Sequence, residues 1–198
     1  MTDPQLILAS TSVTRIQLLA SAGVQFKSLP ACVDEAELHA KFVALPAETL
    51  ALELARAKAR SLSTNHPEAI VIGTDQTLQC AGVIFHKAQS LEGAKSKLKQ
   101  LRGRAHQLHS AVACVQRGEV VYENVATATL TMRNFSDAFL DRYLKSAKDE
   151  ALSAVGCYFY EGQGIQLFQK IEGDYHTILG LPLLPLLAFL RQSTIIQA

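Results

Sequence analysis

The chain has 198 residues, 48% of them apolar and 19% charged, with a net charge of +1. That length suits one domain over residues 1–198 with a sizeable core, in two lobes at most. Interspersed charges of both signs exclude a broad basic surface for nucleic acid or an anionic membrane, so any anionic partner must be held by a few placed groups.

The four cysteines, Cys32, Cys80, Cys114 and Cys157, form no Cys-x-x-Cys pair and most sit among apolar neighbours, as reduced core thiols do. Met1-Thr2-Asp3-Pro4 has no basic leader-like region. The most apolar segment, Ile178 to Leu190, contains Pro182 and Pro185 and is too short to span a bilayer, so it reads as a buried helix. A soluble, cytoplasmic protein is expected.

In chain order, residues 5–9 read as a buried strand. A helix over 14–22 follows, with Ile16, Leu19 and Ala20 inward, Ser12 as N-cap and Gly23 as its stop. Residues 24–29 predict a second strand, and 30–38 an irregular acidic loop. A longer helix is expected over 47–63, where Leu50, Leu54, Ala57 and Leu62 approximate helical spacing. The continuous apolar run Ala69 to Gly73 suits a strand covered on both faces. A loop to about 89 precedes a helix over 90–101, with Leu91, Ala94, Leu98 and Leu101 inward and Lys95, Lys97 and Lys99 on a solvated side. Two strands, 106–116 and 120–132, flank the turn Arg117-Gly118-Glu119. A helix over 136–146, two short strands around residues 161–164, and a last helix with Pro182 in its first position complete the chain. Early alternation of strand and helix with a central hairpin predicts an α/β protein with a mixed sheet.

Chemistry concentrates at three places. The opening strand runs into Ser10-Thr11-Ser12 and Arg15 at a helix start, where free amides and the helix dipole favour an anion. N-capping plus a surface arginine explains the same letters equally well. Asp75, in Gly73-Thr74-Asp75-Gln76, follows the buried run, where open α/β sheets place ligands. There it can bind a cation, take a proton, or merely cap a turn. Lys58 and Lys87 flank that strand in sequence; each is either a solvated charge or part of a triphosphate site with Arg15 and Asp75. His106 and His109, three apart in a strand, point to opposite faces and cannot share a metal. No nucleophile elbow, Walker A loop or dinucleotide fingerprint is present.

In this order the motifs resemble the Maf family of nucleoside triphosphate pyrophosphatases. Leu8-Ala9-Ser10-Thr11-Ser12 with Arg15 resembles the family's opening Ser-x-Ser-Pro-Arg-Arg loop, and Val33-Asp34-Glu35 its acidic loop. Ala55-Arg56-Ala57-Lys58-Ala59 resembles its helix lysine, Gly73-Thr74-Asp75 its catalytic aspartate, Gly103-Arg104-Ala105-His106 a structural turn, and Gly180-Leu181-Pro182-Leu183 its closing signature. The resemblance implies a mixed central sheet flanked by helices, in two lobes with a nucleotide cleft. It implies hydrolysis between the α- and β-phosphates of non-standard or surplus nucleoside triphosphates, releasing a monophosphate and pyrophosphate. Asp75 would accept a proton or bind metal, Glu35 would help bind a divalent cation (magnesium or manganese), and Ser12, Arg15, Lys58 and Lys87 would hold phosphates. A homodimer is compatible with it.

Two loops depart from the family pattern: Val13-Thr14 stands for Pro-Arg, and His86-Lys87-Ala88 for Gly-Lys-Pro. Within the family base preference tracks three places, which here hold Thr14, Gln76 and Glu161. Gln76 and Glu161 resemble the branch acting on 7-methylguanosine triphosphate, whereas Thr14 matches neither that branch nor the uridine and thymidine branch. The rival expectation is a nucleotide-binding regulator of cell division that does not turn its ligand over.

Overall fold

The computed structural model describes residues 6–197; Met1 to Pro4 and Gln5, the expected first residue of the opening strand, lie outside them. The architecture is mixed α/β, with seven strands in the order β2-β1-β3-β5-β6-β7 and β4 paired to β3. These are β1 (Leu6–Ala9), β2 (Lys27–Leu29), β3 (Ile70–Cys80), β4 (Val83–Phe85), β5 (Ala105–Gln116), β6 (Glu119–Met132) and β7 (Phe168–Glu172). The helices are α1 (Val13–Ser21), α2 (Glu35–Lys41), α3 (Ala47–Ser63), α4 (Leu91–Leu101), α5 (Asp137–Ser153), α6 (Tyr175–Ile178) and α7 (Leu183–Gln192). Among the described residues no helix is long and apolar enough to cross a membrane.

The chain forms two compact units. The first contains residues 6–76, 109–126 and 175–197 of the described chain. Here β1 pairs in parallel with both β2 and β3, Leu8 lying opposite Ile72. Alternation along these strands sorts side chains between two cores. Leu6, Leu8, Ile70 and Ile72 pack with Leu19 of α1 and with Leu183, Leu186 and Leu190 of α7. Ile7, Ala9 and Val71 pack with Ala59 and Leu62 of α3. The expected two-sided burial of the Ala69–Gly73 run is therefore present. Ile70 and Ile72 of β3 thus face α1 and α7, and Val71 and Gly73 face α3.

The second unit contains Thr77–Leu108 and Thr127–Asp174. β3 turns back into β4 through Ala81 and Gly82, both at positive φ (49° and 80°), the backbone of a tight two-residue hairpin. α4 packs on α5, tied by Lys95–Asp141 (2.6 Å), Lys99–Asp137 (3.0 Å) and Arg102–Asp137 (2.6 Å). Two of the lysines expected on a solvated face thus hold the helix pair, while Lys97 donates to the His86 carbonyl. His106 is buried with Nε2 2.8 Å from the Tyr158 hydroxyl, and burial lowers its pKa to about 4.

Several boundaries differ from the sequence reading. The acidic stretch is helical from Glu35, because Asp34 accepts from the amides of Ala36 (2.9 Å) and Glu37 (3.0 Å) and so caps a short helix with no buried side to announce it. β3 continues past Gly73 to Cys80, since its polar half pairs with β4, so Asp75 lies within the strand. β2 begins only at Lys27. Ala20 and Leu91 are exposed; Ile16 and Leu18 supply the inner side of α1 beside Leu19. α5 runs on to Ser153 through a break at Lys148 (φ 42°). Only one strand, β7, adjoins residues 161–164, which turn back so closely that a Cβ on Gly164 would lie 2.9 Å from the Phe159 carbonyl carbon. The apolar closing segment is broken at Gly180 (φ 92°), and Pro182 occupies the N-cap of α7 instead of its first turn.

Candidate active site

Gly73 is where the site begins. A Cβ there would overlap the Ala55 carbonyl oxygen and lie 2.6 Å from the Ala59 nitrogen, so only glycine lets α3 approach β3 this closely. Lys58 and Asp75 project into that contact from helix and strand. Lys58 Nζ lies 2.6 Å from Asp75 Oδ1 and 2.7 Å from Glu35 Oε1 of α2. The lysine and aspartate side chains are only 10% and 14% exposed, against 61% for Glu35, so the Lys58–Asp75 pair is largely withdrawn from water. Burying an ammonium is costly, and two carboxylates offset that cost.

The two carboxylates on one cation form a hard, all-oxygen donor pair of the kind magnesium or manganese takes, with water and phosphate completing the shell. Among the described residues no group of three or more His, Cys, Asp or Glu side chains is placed to hold a metal ion. Glu35 and Asp75 fit a cation shared with a substrate better than a resident ion in a protein-only cage.

The Ser10-Thr11-Ser12 loop is shaped by its own hydroxyls. Ser10 Oγ accepts from the Ser12 amide (3.2 Å), Ser28 Oγ donates to the Ser10 carbonyl (2.6 Å), and Ser12 Oγ caps α1 at the Arg15 amide (3.5 Å). Thr14 is half-buried in the first turn of α1. Arg15 is not the exposed arginine that its position suggested: Nε donates to the Gly180 carbonyl (2.9 Å) and Nη1 to the Thr74 carbonyl (3.2 Å). Burial lowers its pKa, and the charges of Asp75 and Glu35 oppose that shift.

On the other face of β3, Gln76 Nε2 lies 2.8 Å from Ser110 Oγ and 3.1 Å from the carbonyls of both Thr177 and Ile178. Ser110 Oγ itself donates to the Thr177 carbonyl (2.7 Å). The carbonyls of residues 177, 178 and 180 thus accept from side chains of β3, β5 and α1. Ser110 went unnoticed in the sequence because it sits in a strand among apolar neighbours, with no motif around it. The closing Gly180-Leu181-Pro182 signature was visible, but not that its carbonyls are what Arg15 and Gln76 hold.

The structure therefore joins Glu35, Lys58 and Asp75 directly, and links Arg15 and Gln76 to the same strand. Lys87 and Glu161 belong to the second unit, both exposed, Lys87 just after β4 and Glu161 just before the 3-10 turn Gln163–Leu167.

A family model described as Maf-like protein matches residues 5–193. A nucleoside triphosphate pyrophosphatase of Granulibacter bethesdensis is 48% identical over 95% of this chain and 96% of its own length. A 7-methyl-GTP pyrophosphatase of Rhizobium meliloti is 46% identical over 98% of this chain and 99% of its own. Among solved structures, a HAM1 protein from Coxiella burnetii is similar with a TM-score of 0.42 and 16% identity, over 66% of this chain and 73% of that one.

Proposed function

The chain belongs to the Maf-like protein family, and on that premise we propose that it is a nucleoside triphosphate pyrophosphatase cutting between the α- and β-phosphates. The Asp75–Lys58–Glu35 cluster carries the mechanism: a strand carboxylate, a withdrawn ammonium and an exposed second carboxylate at one point. The names of full-length relatives support the reaction class, and the Rhizobium meliloti protein supports a 7-methylguanosine triphosphate preference.

Asp75 orients the attacking water and accepts its proton, or holds the cation that positions it. An ammonium has three donors, and Lys58 gives two to its carboxylates, leaving one for a phosphate oxygen. Ser12 and the free amides of the first turn of α1 bind phosphate; Arg15 adds positive charge and the N–H groups not given to Gly180 and Thr74. Lys87 is the further phosphate contact. Asp75 and Glu35 would hold a divalent cation, which when bound neutralises charge developing on the leaving pyrophosphate. Thr14, Gln76 and Glu161 choose the base. A carboxylate at Glu161 accepts N–H donors of guanine and favours the cationic ring of its 7-methyl form.

Pyrophosphate release, measured across ordinary and modified nucleoside triphosphates with magnesium, tests this. Turnover is expected, with 7-methylguanosine triphosphate foremost; binding without turnover of any of them would point instead to a nucleotide-sensing regulator of cell division. Glu161→Gln should shift the ratio of catalytic efficiencies away from 7-methylguanosine triphosphate, toward uridine triphosphate, by about tenfold. An equal loss on both substrates would show that Glu161 supports the site without reading the base.

A further inference from the structure

We propose that the Thr177 and Ile178 carbonyls, with Ser110 beside them, lock the Gln76 carboxamide with its nitrogen inward, so that Gln76 presents only its oxygen to the nucleotide base. Carbonyl oxygens only accept, so the Gln76 atom 3.1 Å from both the Thr177 and Ile178 carbonyls must be the NH2 group. Ser110 has one hydroxyl proton and gives it to the Thr177 carbonyl, so toward Gln76 it can only accept. Three acceptors therefore surround two amide protons. Turning the amide over would set its oxygen against both carbonyls, and Ser110 could bond it only by releasing Thr177. Ser110 is fully buried, whereas Gln76 is only partly buried, which leaves the Oε1 end as the part that a ligand can meet.

An unconstrained glutamine pairs with a base edge through two points, donating with its nitrogen and accepting with its oxygen. Gln76 has only the second. It therefore selects a base that offers an N–H and is indifferent to the neighbouring base carbonyl. Guanine and hypoxanthine offer such a donor at N1; an N1-methylated base does not.

Since this rests on the pyrophosphatase reading, the test separates the two. Hypoxanthine carries a single base N–H in its six-membered ring, so inosine triphosphate and its N1-methyl derivative differ by that donor plus a methyl group. Wild type should prefer inosine triphosphate in kcat/KM by roughly tenfold or more. Gln76→Met, which removes the acceptor but keeps the length of the side chain, should compress that ratio severalfold, mainly through KM, whereas Ser110→Ala, which leaves both carbonyls in place, should keep it. A purely steric objection to the methyl group would leave the ratio unchanged in Gln76→Met and would overturn the proposal. Independently of turnover, the Gln76 side-chain NH2 protons of the wild-type protein should exchange slowly with solvent by NMR. Rapid exchange in wild type would overturn the lock even if Gln76→Met fails to fold. Absence of turnover of every triphosphate, with the NH2 protons protected, would sink the enzymatic reading alone and leave the lock standing.

Discussion

Asp75 and Gln76 are neighbours on β3, yet they face opposite sides and are held by different physics. Asp75 meets an ammonium that also serves Glu35, and all three groups are charged. Gln76 meets a hydroxyl and two carbonyls, all uncharged. Ion pairs are strong at short range and indifferent to exact angle, so the Asp75 side can exchange partners when a polyanion and its cation arrive. Hydrogen bonds to carbonyls are directional, so the Gln76 side keeps one geometry. One strand thus supplies an adaptable charged face and a fixed hydrogen-bonded face.

Asp75→Asn breaks the charged face most deeply. It keeps the shape of the side chain but removes the proposed proton acceptor and one of the two carboxylates proposed to hold a cation. Turnover should fall by roughly 10²–10⁴-fold with the fold intact. Near-normal pyrophosphate release by a folded variant would remove the proposed mechanism.

Gly73→Ala tests whether the charged face depends on close approach of helix and strand. Its methyl group would collide with the backbone of α3 at Ala55 and Ala59, which cannot move aside as a side-chain tip can. A loss of about 1–3 kcal/mol is expected, read by urea unfolding, together with weaker turnover as Lys58 is carried away from Asp75. Unchanged stability would mean that α3 shifts freely and that the contact does not set the ion pair.

At Arg15 the expected effect is no larger, and it separates the two faces most sharply. Arg15→Ala leaves the Gly180 and Thr74 carbonyls without these donors, which should cost about 1–3 kcal/mol in stability. As a surface arginine it would have cost far less. Thermal melting and substrate affinity should be measured together. Loss of affinity with unchanged melting would return Arg15 to a purely phosphate-binding role.

Much of this was legible in the chain itself. Periodicity located α3 to the residue and the hairpin of β5 and β6 within a residue at each end, because long amphipathic or continuously apolar segments answer to local burial alone. Motif order pointed to Ser12, Lys58 and Asp75, and Ser12 caps its helix as its position implied. The sequence was silent where partners are distant along the chain. It could not show that Lys58 is buried between Asp75 and Glu35, since the closeness of α3 to β3 depends on the missing Cβ of Gly73. Nor could it show that Arg15 is spent on the backbone of residues 74 and 180, or that Gln76 donates to Ser110. Burial patterns are written residue by residue in the amino-acid order. The choice of hydrogen-bond partner is made only once packing brings a donor and an acceptor together.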